Sequence, residues 1–593
     1  MNRRAFLKVS GVAAGSLVLP NRMPANTDSI HSNRPNILFI AVDDLRPELG
    51  CYGNDIIKTP YIDRLAREGV LFKRAYCQQA VCNPSRASLL TGLRPDSVRV
   101  WDLRVHFRET VPDVVTLPQH FKGNGYYTAG TGKIYHTVAG HMEDPISWTV
   151  PKLKPKGRIW VWPDEVLKER KKLHDRLRAE GKSEAQVKRI RATATVCEDV
   201  ADNARYDGAQ TDVAIEKLRE IKNHSNPFFL AVGYIRPHLP FAPPKRYWDM
   251  YDRDSIPLAK NDFLPKGSPP VAMNTMYELR DYMDFLNTPS PTKGALTEEQ
   301  QRLLKHGYYA SVSFVDAQVG RLMDALDRLG LRDNTIVILW GDHGWKLGEH
   351  RSWCKQTNYE NDTRVPLIVS APRCQARGRA CEALVEFIDI YPTLCDLSGL
   401  PIPEHAEGKS FKPLLNDPGL PWKQGAFSQF MRRYEGTQYM GHSIRTNRYR
   451  FVEWRNCETT EAFATELYDH QSDPQENVNI ADKDQNKRLV AALTEKLRET
   501  CPPLLPRATL PRLRSVKSTT PTVLRIINKL KEPASIYWLD HYGGRQKKAF
   551  LKPNQEVKQK TFVGHLFVAV SESGANHFLL NSRDFQTQPA ILR

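Results

Sequence analysis

Three segments of the chain are apolar without a break and stop on charged residues. Asn36-Ile37-Leu38-Phe39-Ile40-Ala41-Val42 ends at Asp43-Asp44. The run from Pro227 to Tyr234 stops before Arg236-Pro237-His238, and Thr335 to Trp340 stops at Gly341-Asp342-His343-Gly344. A strand with one wet face alternates apolar and polar positions. Unbroken runs of strand length therefore predict strands buried on both faces of a parallel sheet. Amphipathic stretches separate them, Tyr61 to Glu68 and Ser311 to Leu329 among them, and predict helices. That ordering is α/β. Sites in such sheets form beyond the carboxyl ends of the strands, where all three runs deliver acids or histidines.

The pattern changes elsewhere. Residues 26–34 are polar and read as a linker. Residues 151–192 open with prolines and lysines and become a charged helical insertion. Residues 376–505 read as a smaller α+β part, whose helix from Lys487 to Thr500 sets Leu489, Val490, Leu493 and Leu497 on one face before Pro502-Pro503 ends it. Residues 506–593 hold Val, Ile, Thr and aromatic runs broken by Gly, Asn and Pro, an all-β module. The first 25 residues read as an export signal. Arg3-Arg4-Ala5-Phe6-Leu7-Lys8 resembles the twin-arginine motif, and Val9 to Leu19 is apolar but too short for a stable anchor. A periplasmic or extracellular location is expected, without stable membrane insertion.

Composition sharpens this picture. At 593 residues the chain is too long for one typical domain, and 40% hydrophobic content is enough for an ordinary core. Lys plus Arg number 85 against 67 Asp plus Glu, a net +18. That excess implies an anionic partner. The insertion holds 14 basic and 6 acidic residues and the segment from 506 holds 15 and 5, so the charge is peripheral. No nucleic-acid motif is present, and export also argues against that partner. The ten cysteines include no CxxC pair, which argues against zinc. Cys374 and Cys381 are close enough in sequence to bridge a small loop; isolated buried thiols are the alternative.

The most informative stretch is Cys82-Asn83-Pro84-Ser85-Arg86-Ala87-Ser88-Leu89-Leu90-Thr91-Gly92. Pro84 suits the first turn of a helix and Gly92 its end, which puts Cys82 at a helix N-terminus where free N–H groups favour an anion. With Val42 to Pro47, Leu49 to Gly53, Gln78 to Val81, Gly132 to His136, Gly233 to Phe241 and Asp342 to His350, this signature resembles the type I sulfatases of the alkaline phosphatase-like superfamily, and among them the iduronate-2-sulfatase-like enzymes. The likeness covers about residues 34 to 500.

The resemblance implies an alkaline phosphatase-like sandwich with a large mixed, mostly parallel sheet over 26–375, the smaller subdomain over 376–505, and the β-sandwich appendix. It implies a sulfuric ester hydrolase acting on sulfated sugars of glycosaminoglycans or algal polysaccharides. Cys82 would be oxidised to Cα-formylglycine by a maturation enzyme; hydrated, it offers one hydroxyl to attack sulfur and a second to expel sulfate. Asp43, Asp44, Asp342, His343 and residue 82 would hold one divalent cation, by resemblance calcium, although histidine is a poor calcium ligand. Arg86 would hold the formylglycine oxygen, Lys133 and Lys355 would neutralise the sulfate, His238 would be the general acid and His136 the base. Arg104 and His106, between motifs, are candidates to meet a substrate carboxylate. The rival readings are a formylglycine-dependent phosphonate monoester or phosphodiester hydrolase and, from another class, an inactive polyanion-binding protein.

Residues 514 to about 587 resemble the β domain of the von Hippel–Lindau tumour suppressor, through Arg514 to Ser518, Tyr537-Trp538-Leu539-Asp540 and Gly564-His565-Leu566-Phe567. In that family an aromatic pocket with a hydroxyl and a histidine reads hydroxyproline. Trp538 and His565 match, but Thr561 replaces a serine, Phe567 a tryptophan and Phe550 a tyrosine, so that ligand is not expected here.

Overall fold

The computed structural model describes residues 34–136, 142–156, 161–501, 521–539, 545–562, 565–571, 577–581 and 590–592. The expected export signal, nearly all of the linker, Pro502-Pro503 and Arg514 to Ser518 lie outside them. The strands before residue 390 are β1 (Asn36–Val42), β2 (Val70–Tyr76), β3 (Tyr127–Gly132), β4 (Phe228–Tyr234), β5 (Thr335–Gly341), β6 (Lys346–Leu347), β7 (Trp353–Cys354), β8 (Arg364–Ser370), β9 (Ala380–Cys381) and β10 (Val385–Glu386). The large sheet runs β10-β2-β8-β5-β1-β4-β3, with β9 also on β2. β1 lies between β4 and β5, parallel to both, while β8 runs antiparallel to β5 and β2. The sheet is thus mixed and mostly parallel, as expected.

The unbroken apolar runs have a plain cause. Alternate residues of β1 feed two cores: Leu38, Ile40 and Val42 pack on one face of the sheet, Ile37, Phe39 and Ala41 on the other. Val337 and Leu339 of β5 join the first core, and Ile336, Ile338 and Trp340 the second. The helix expected from Ser311 begins earlier and spans Glu298–Arg328. Its start is a capping box, in which the Thr297 side chain accepts the Gln300 N–H at 3.2 Å and the Gln300 side chain accepts the Thr297 N–H.

β9 and β10 carry the large sheet past residue 375. The antiparallel sheet of the smaller unit then forms from β11 (Ala426–Tyr434), β12 (Thr437–Arg445), β13 (Tyr449–Asn456) and β14 (Ala462–Asp469). The helix Lys487–Thr500 lays Leu493 and Leu497 against Phe427, Ile444, Phe451 and Leu467. The insertion forms two helices, Asp164–Ala179 and Glu184–Arg189; no side chain of the first is buried, whereas Val187 of the second is.

Cys374 and Cys381 are not bridged. Both thiols are free, and they donate to different carbonyls, Leu415 at 2.9 Å and Pro418 at 3.6 Å. Each is held by its own backbone acceptor, so the sequence proximity does not bring the sulfurs together.

Beyond residue 520, β15 (Pro521–Asn528), β18 (Glu556–Phe562) and β21 (Ala590–Leu592) form one sheet. β16 (Ala534–Leu539), β17 (Arg545–Leu551), β19 (Leu566–Ser571) and β20 (His577–Asn581) form the other. Leu524 and Ile526 of the first sheet meet Ile536, Leu551, Ala569 and Leu580 of the second in one core. Phe567 lies in this core, while Phe550 is exposed. The rings of Trp538 and His565 lie tilted against each other with centroids 5.2 Å apart, and Thr561 Oγ1 is 2.8 Å from His565 Nδ1. No helix among the described residues is long and apolar enough to cross a membrane.

Candidate active site

Because β1 and β5 are parallel neighbours, their carboxyl ends set Asp43, Asp44, Asp342 and His343 side by side, all fully buried. The ladder continues past the strands: the Asp342 N–H donates to Val42 O and the Asp43 N–H to Tyr234 O, both at 3.1 Å. The Asp44 N–H donates to Asp342 Oδ1 at 3.0 Å. The helix Cys82–Thr91 points its N-terminus at this group; Val81 before it is extended, and Gly92 closes it in the left-handed region at φ 73°. Cys82 Sγ lies 3.3 Å from His343 Nε2.

The cations lock onto the acids. Arg86 donates from Nε to Asp342 Oδ2 at 2.8 Å and from Nη2 to Asp43 Oδ1 at 3.3 Å. Its Nη1 reaches the carbonyls of Lys133 and Ile134. One of the five guanidinium N–H groups is then left for residue 82 or a ligand. Lys133 Nζ is 2.5 Å from Asp43 Oδ2, and Lys355 Nζ is 2.7 Å from Asp44 Oδ1. His238 follows β4, with Nδ1 2.6 Å from Leu239 O and Nε2 2.8 Å from Glu278 Oε1. His136, which follows β3, is half-buried, and its Nδ1 has no partner among the described residues. The cysteine, the acids, His343, Arg86, Lys133 and Lys355 are thus tied into one network, which His238 joins through Glu278 and His136 does not join by any hydrogen bond of its Nδ1.

Burial raises the carboxyl of Asp43, but Lys133, His238 and Arg86 together carry it well below the usual range. Asp44 goes the other way: burial, Asp43 and Cys82 push it well above the carboxylate range against the pull of Lys355. Burial and Asp43 push the Cys82 thiol up to about 12. Burial and Lys133 hold His136 well below the ordinary imidazole value. Burial also lowers His238, with Glu278 opposing.

The donor set fits a hard divalent cation. One oxygen of Asp44, Oδ2, is buried with no hydrogen-bond partner. His343 Nδ1 faces Gly344 O at 3.0 Å and so carries its proton there, which turns the Nε2 lone pair toward Asp44 Oδ1 at 3.3 Å and Asp342 Oδ1 at 3.5 Å. A lone pair facing two carboxylate oxygens needs a cation or a second proton between them. Asp43, Cys82, Asp342 and His343 each offer an atom within 4.8 Å of the others.

The structure adds residues that the sequence reading lacked. Ser85 donates to Asp342 O at 2.5 Å, fixing the β5 end to the helix. Glu278, on the four-residue helix Tyr277–Arg280, reaches both His238 and Lys355. Of the two further candidates, Arg104 is exposed. His106 is buried, with Nδ1 accepting the Arg108 N–H at 3.0 Å as a helix cap and Nε2 3.2 Å from Glu143 O. Its ring nitrogens already have backbone partners, so it is not free to meet a carboxylate.

The site is thus a buried acid–base cluster at the carboxyl ends of a mostly parallel sheet, at which a helix N-terminus presents Cys82, an arrangement able to take an anionic group. The family model described as Sulfatase matches residues 35–400, and that described as N-sulphoglucosamine sulphohydrolase, C-terminal, matches residues 348–501. The chain belongs to the sulfatase family and is a sulfuric ester hydrolase. Members of this family generally use a formylglycine and a divalent cation. Iduronate 2-sulfatase of Mus musculus is 36% identical over 526 residues, covering 77% of this chain and 93% of its own. The Homo sapiens enzyme of that name is 35% identical, covering 81% and 96%. A solved structure in complex with its substrate D-glucosamine-2-N,6-O-disulfate matches with TM-score 0.61 at 24% identity, covering 79% of this chain and 97% of that one. The phosphonate monoester hydrolase of Silicibacter pomeroyi matches with TM-score 0.58 at 25% identity, covering 79% and 95%.

Proposed function

We propose that this sulfatase is exported and removes sulfate from sugars, 2-O-sulfated uronic acids or related units of glycosaminoglycans or algal polysaccharides, with Cys82 matured to formylglycine. The observation that carries this reading is the convergence of Cys82, Asp43, Asp342 and His343 within 4.8 Å, with Lys133 and Lys355 against the acids. The names of the iduronate 2-sulfatases support the sugar class.

Asp43, Asp44, Asp342 and His343 would hold calcium, which supplies Lewis-acid polarisation of sulfate oxygens. Formylglycine at residue 82 supplies the attacking oxygen and the means of releasing sulfate. The remaining work belongs to side chains already placed. Arg86 clamps Asp43 and Asp342 and offers its last N–H to the residue-82 oxygen. Lys133 and Lys355 each touch an acid and turn their other ammonium protons to the sulfate. His238 protonates the departing alcohol, whose alkoxide is too basic to leave alone. His136, held neutral with Nδ1 open, accepts the proton released when sulfate departs.

The first test is the mass of the peptide spanning Cys82 from protein matured in its host. Formylglycine lowers it by about 18 Da, thiol exchanged for aldehyde. An unmodified thiol in active protein would remove the nucleophile from this reading. The second reading, a phosphonate monoester hydrolase, is favoured by the match to the Silicibacter pomeroyi enzyme. Turnover of a 2-O-sulfated uronate and an aryl sulfate against an aryl phosphonate separates the two, and a faster phosphonate reaction would replace the first.

A further inference from the structure

Glu278 belongs to none of the sulfatase motifs in this sequence, yet its carboxylate sits between two of the groups expected to meet the substrate. Oε1 is 2.8 Å from His238 Nε2, and Oε2 is 3.2 Å from Lys355 Nζ. The segment bearing it is held firmly. Met276, just before the short helix, lies in the left-handed region at φ 50°, a conformation that a long side chain adopts only when its surroundings enforce it. Contacts with the Lys355 segment enforce it. Asn274 Nδ2 donates to Trp353 O at 3.0 Å and to Lys355 O at 2.7 Å, and Asn274 Oδ1 accepts from Ser352 Oγ at 2.7 Å. Gln356 Nε2 donates to the Tyr277 hydroxyl at 2.7 Å. The Lys355 segment and the Glu278 segment are therefore one clamped unit. From the other side, Arg189 of the basic insertion lies over the Tyr277 ring at 5.4 Å and pairs with Asp281.

His238 completes the geometry. Its Nδ1 faces the Leu239 carbonyl, which can only accept, so that nitrogen keeps its hydrogen. The transferable proton is on Nε2, along the line to Glu278. We propose that Glu278 is the positioning residue for departure of the alcohol: it holds the His238 Nε2–H and the Lys355 ammonium in register, so that acid and sulfate anchor act on the same ester. This rests on the sulfatase reading above. The leaving oxygen enters beside Glu278 and shares the Nε2 proton. As sulfur passes from that oxygen to the attacking oxygen of residue 82, the electron pair of the broken S–O bond stays on the leaving oxygen, the Nε2 proton passes to it, and the ring is left neutral with Nδ1 protonated, to be recharged from water.

The test is a leaving-group series on the formylglycine-bearing holoenzyme: sulfate esters of phenols of rising pKa, ending with an alkyl sugar sulfate. In Glu278→Gln and Glu278→Ala, kcat for the sugar sulfate is expected to fall about 100-fold or more, the lower range for loss of general acid catalysis. For 4-nitrophenyl sulfate, whose phenolate leaves without a proton, the fall is expected to be under about tenfold, with KM changed little. The slope of log kcat against leaving-group pKa steepens. An equal fall for every ester, or no fall, would overturn the proposal, because a role in folding or in sulfate binding alone does not depend on the alcohol. Glu278→Gln keeps the volume but loses the charge and one of the two oxygens that hold His238 and Lys355 together, and a matching unfolding midpoint for it removes misfolding as the cause. Wild-type enzyme inert on every ester would overturn the function reading and this inference together; leaving-group-independent loss in the variants would overturn this inference alone.

Discussion

Two clusters of acids and bases among the described residues, one fully buried and one partly buried, are built to opposite ends. The one proposed as catalytic gathers Asp43, Asp44, Asp342, Cys82 and His343. The other gathers Glu360, His470 and Glu476 where the small sheet meets the large one. By ligand count alone either could take a cation. In the second, Arg450 donates to Glu476 at 2.6 Å and to Glu360 at 2.5 Å, and Arg445 adds a 3.2 Å contact to Glu360. Burial raises both glutamates, but the arginines win: Arg450 and His470 hold Glu476 down to about 2, and Arg445 and Arg450 hold Glu360 low as well. The buried group left without a partner there is Arg450 Nη1, a donor. In the first cluster it is Asp44 Oδ2, an acceptor on a carboxyl pushed upward. A guanidinium clamps both clusters, but in the second every carboxylate oxygen has a partner and the group is a strut, whereas the first keeps one carboxylate oxygen free, where the proposed metal would bind.

The largest effect that separates the two is expected from Asp44→Asn. Turnover should fall at least about 10³-fold, the scale of losing a central electrostatic group. The unfolding midpoint measured in chelator should drop less than in Arg450→Met, since Asn keeps the Oδ1 acceptor for Lys355 and the Oδ2 it replaces has no partner to lose. Wild type should gain stability with added calcium, about 2.7 kcal/mol at a hundredfold excess over Kd, and the variant far less. A calcium-dependent midpoint undiminished in Asp44→Asn would move the cation to the second cluster and break the comparison.

Arg450→Met tests the strut. Removing one partner of a buried pair leaves uncompensated charge, and about 3–5 kcal/mol of destabilisation is expected by denaturant titration, with turnover per folded molecule kept. The same variant should alter the response to acid. Glu476 is depressed in the folded state, so its contribution is fully present above its unfolded value of about 4.5 and is lost as pH falls toward about 2. Wild type should therefore lose stability across that window, and Arg450→Met should lose much less. Parallel acid-unfolding curves for the two proteins would show that the arginine does not set the acid response.

The same contrast explains what could be read from the sequence. The socket is legible because its acids end strands whose unbroken apolar runs serve two cores at once, as Ile37 and Leu38 do on opposite faces. Cys82 is legible because Pro84 and Gly92 bracket its helix. Glu278 is not, since a four-residue helix has no periodicity and its partners lie 40 residues before it and 77 after it. The strut is hidden for the same reason: Glu360, Arg445, Arg450, His470 and Glu476 come from a short helix, two strands and a loop up to 116 residues apart. Cys374 and Cys381 mislead because closeness in sequence does not set where thiols point.

The smallest expected effect concerns charge that is neither socket nor strut. The insertion and the segment from 506 carry net +8 and +10, so the excess of the whole chain lies outside both clusters. In the first insertion helix no side chain is buried, so Lys168, Lys171 and Lys172 are solvated. Replacing all three by Glu should change stability by less than about 0.5 kcal/mol. Exposed charges act through long-range attraction that salt screens over about 8 Å at physiological strength. KM for a long sulfated glycan should therefore rise several-fold at low salt and approach wild type at high salt, while KM for an aryl sulfate stays put. Removing residues 506–593 should weaken glycan binding in the same salt-dependent way. An unchanged binding curve after both changes would mean that the catalytic cup alone holds the polymer, and that the +18 serves something other than substrate.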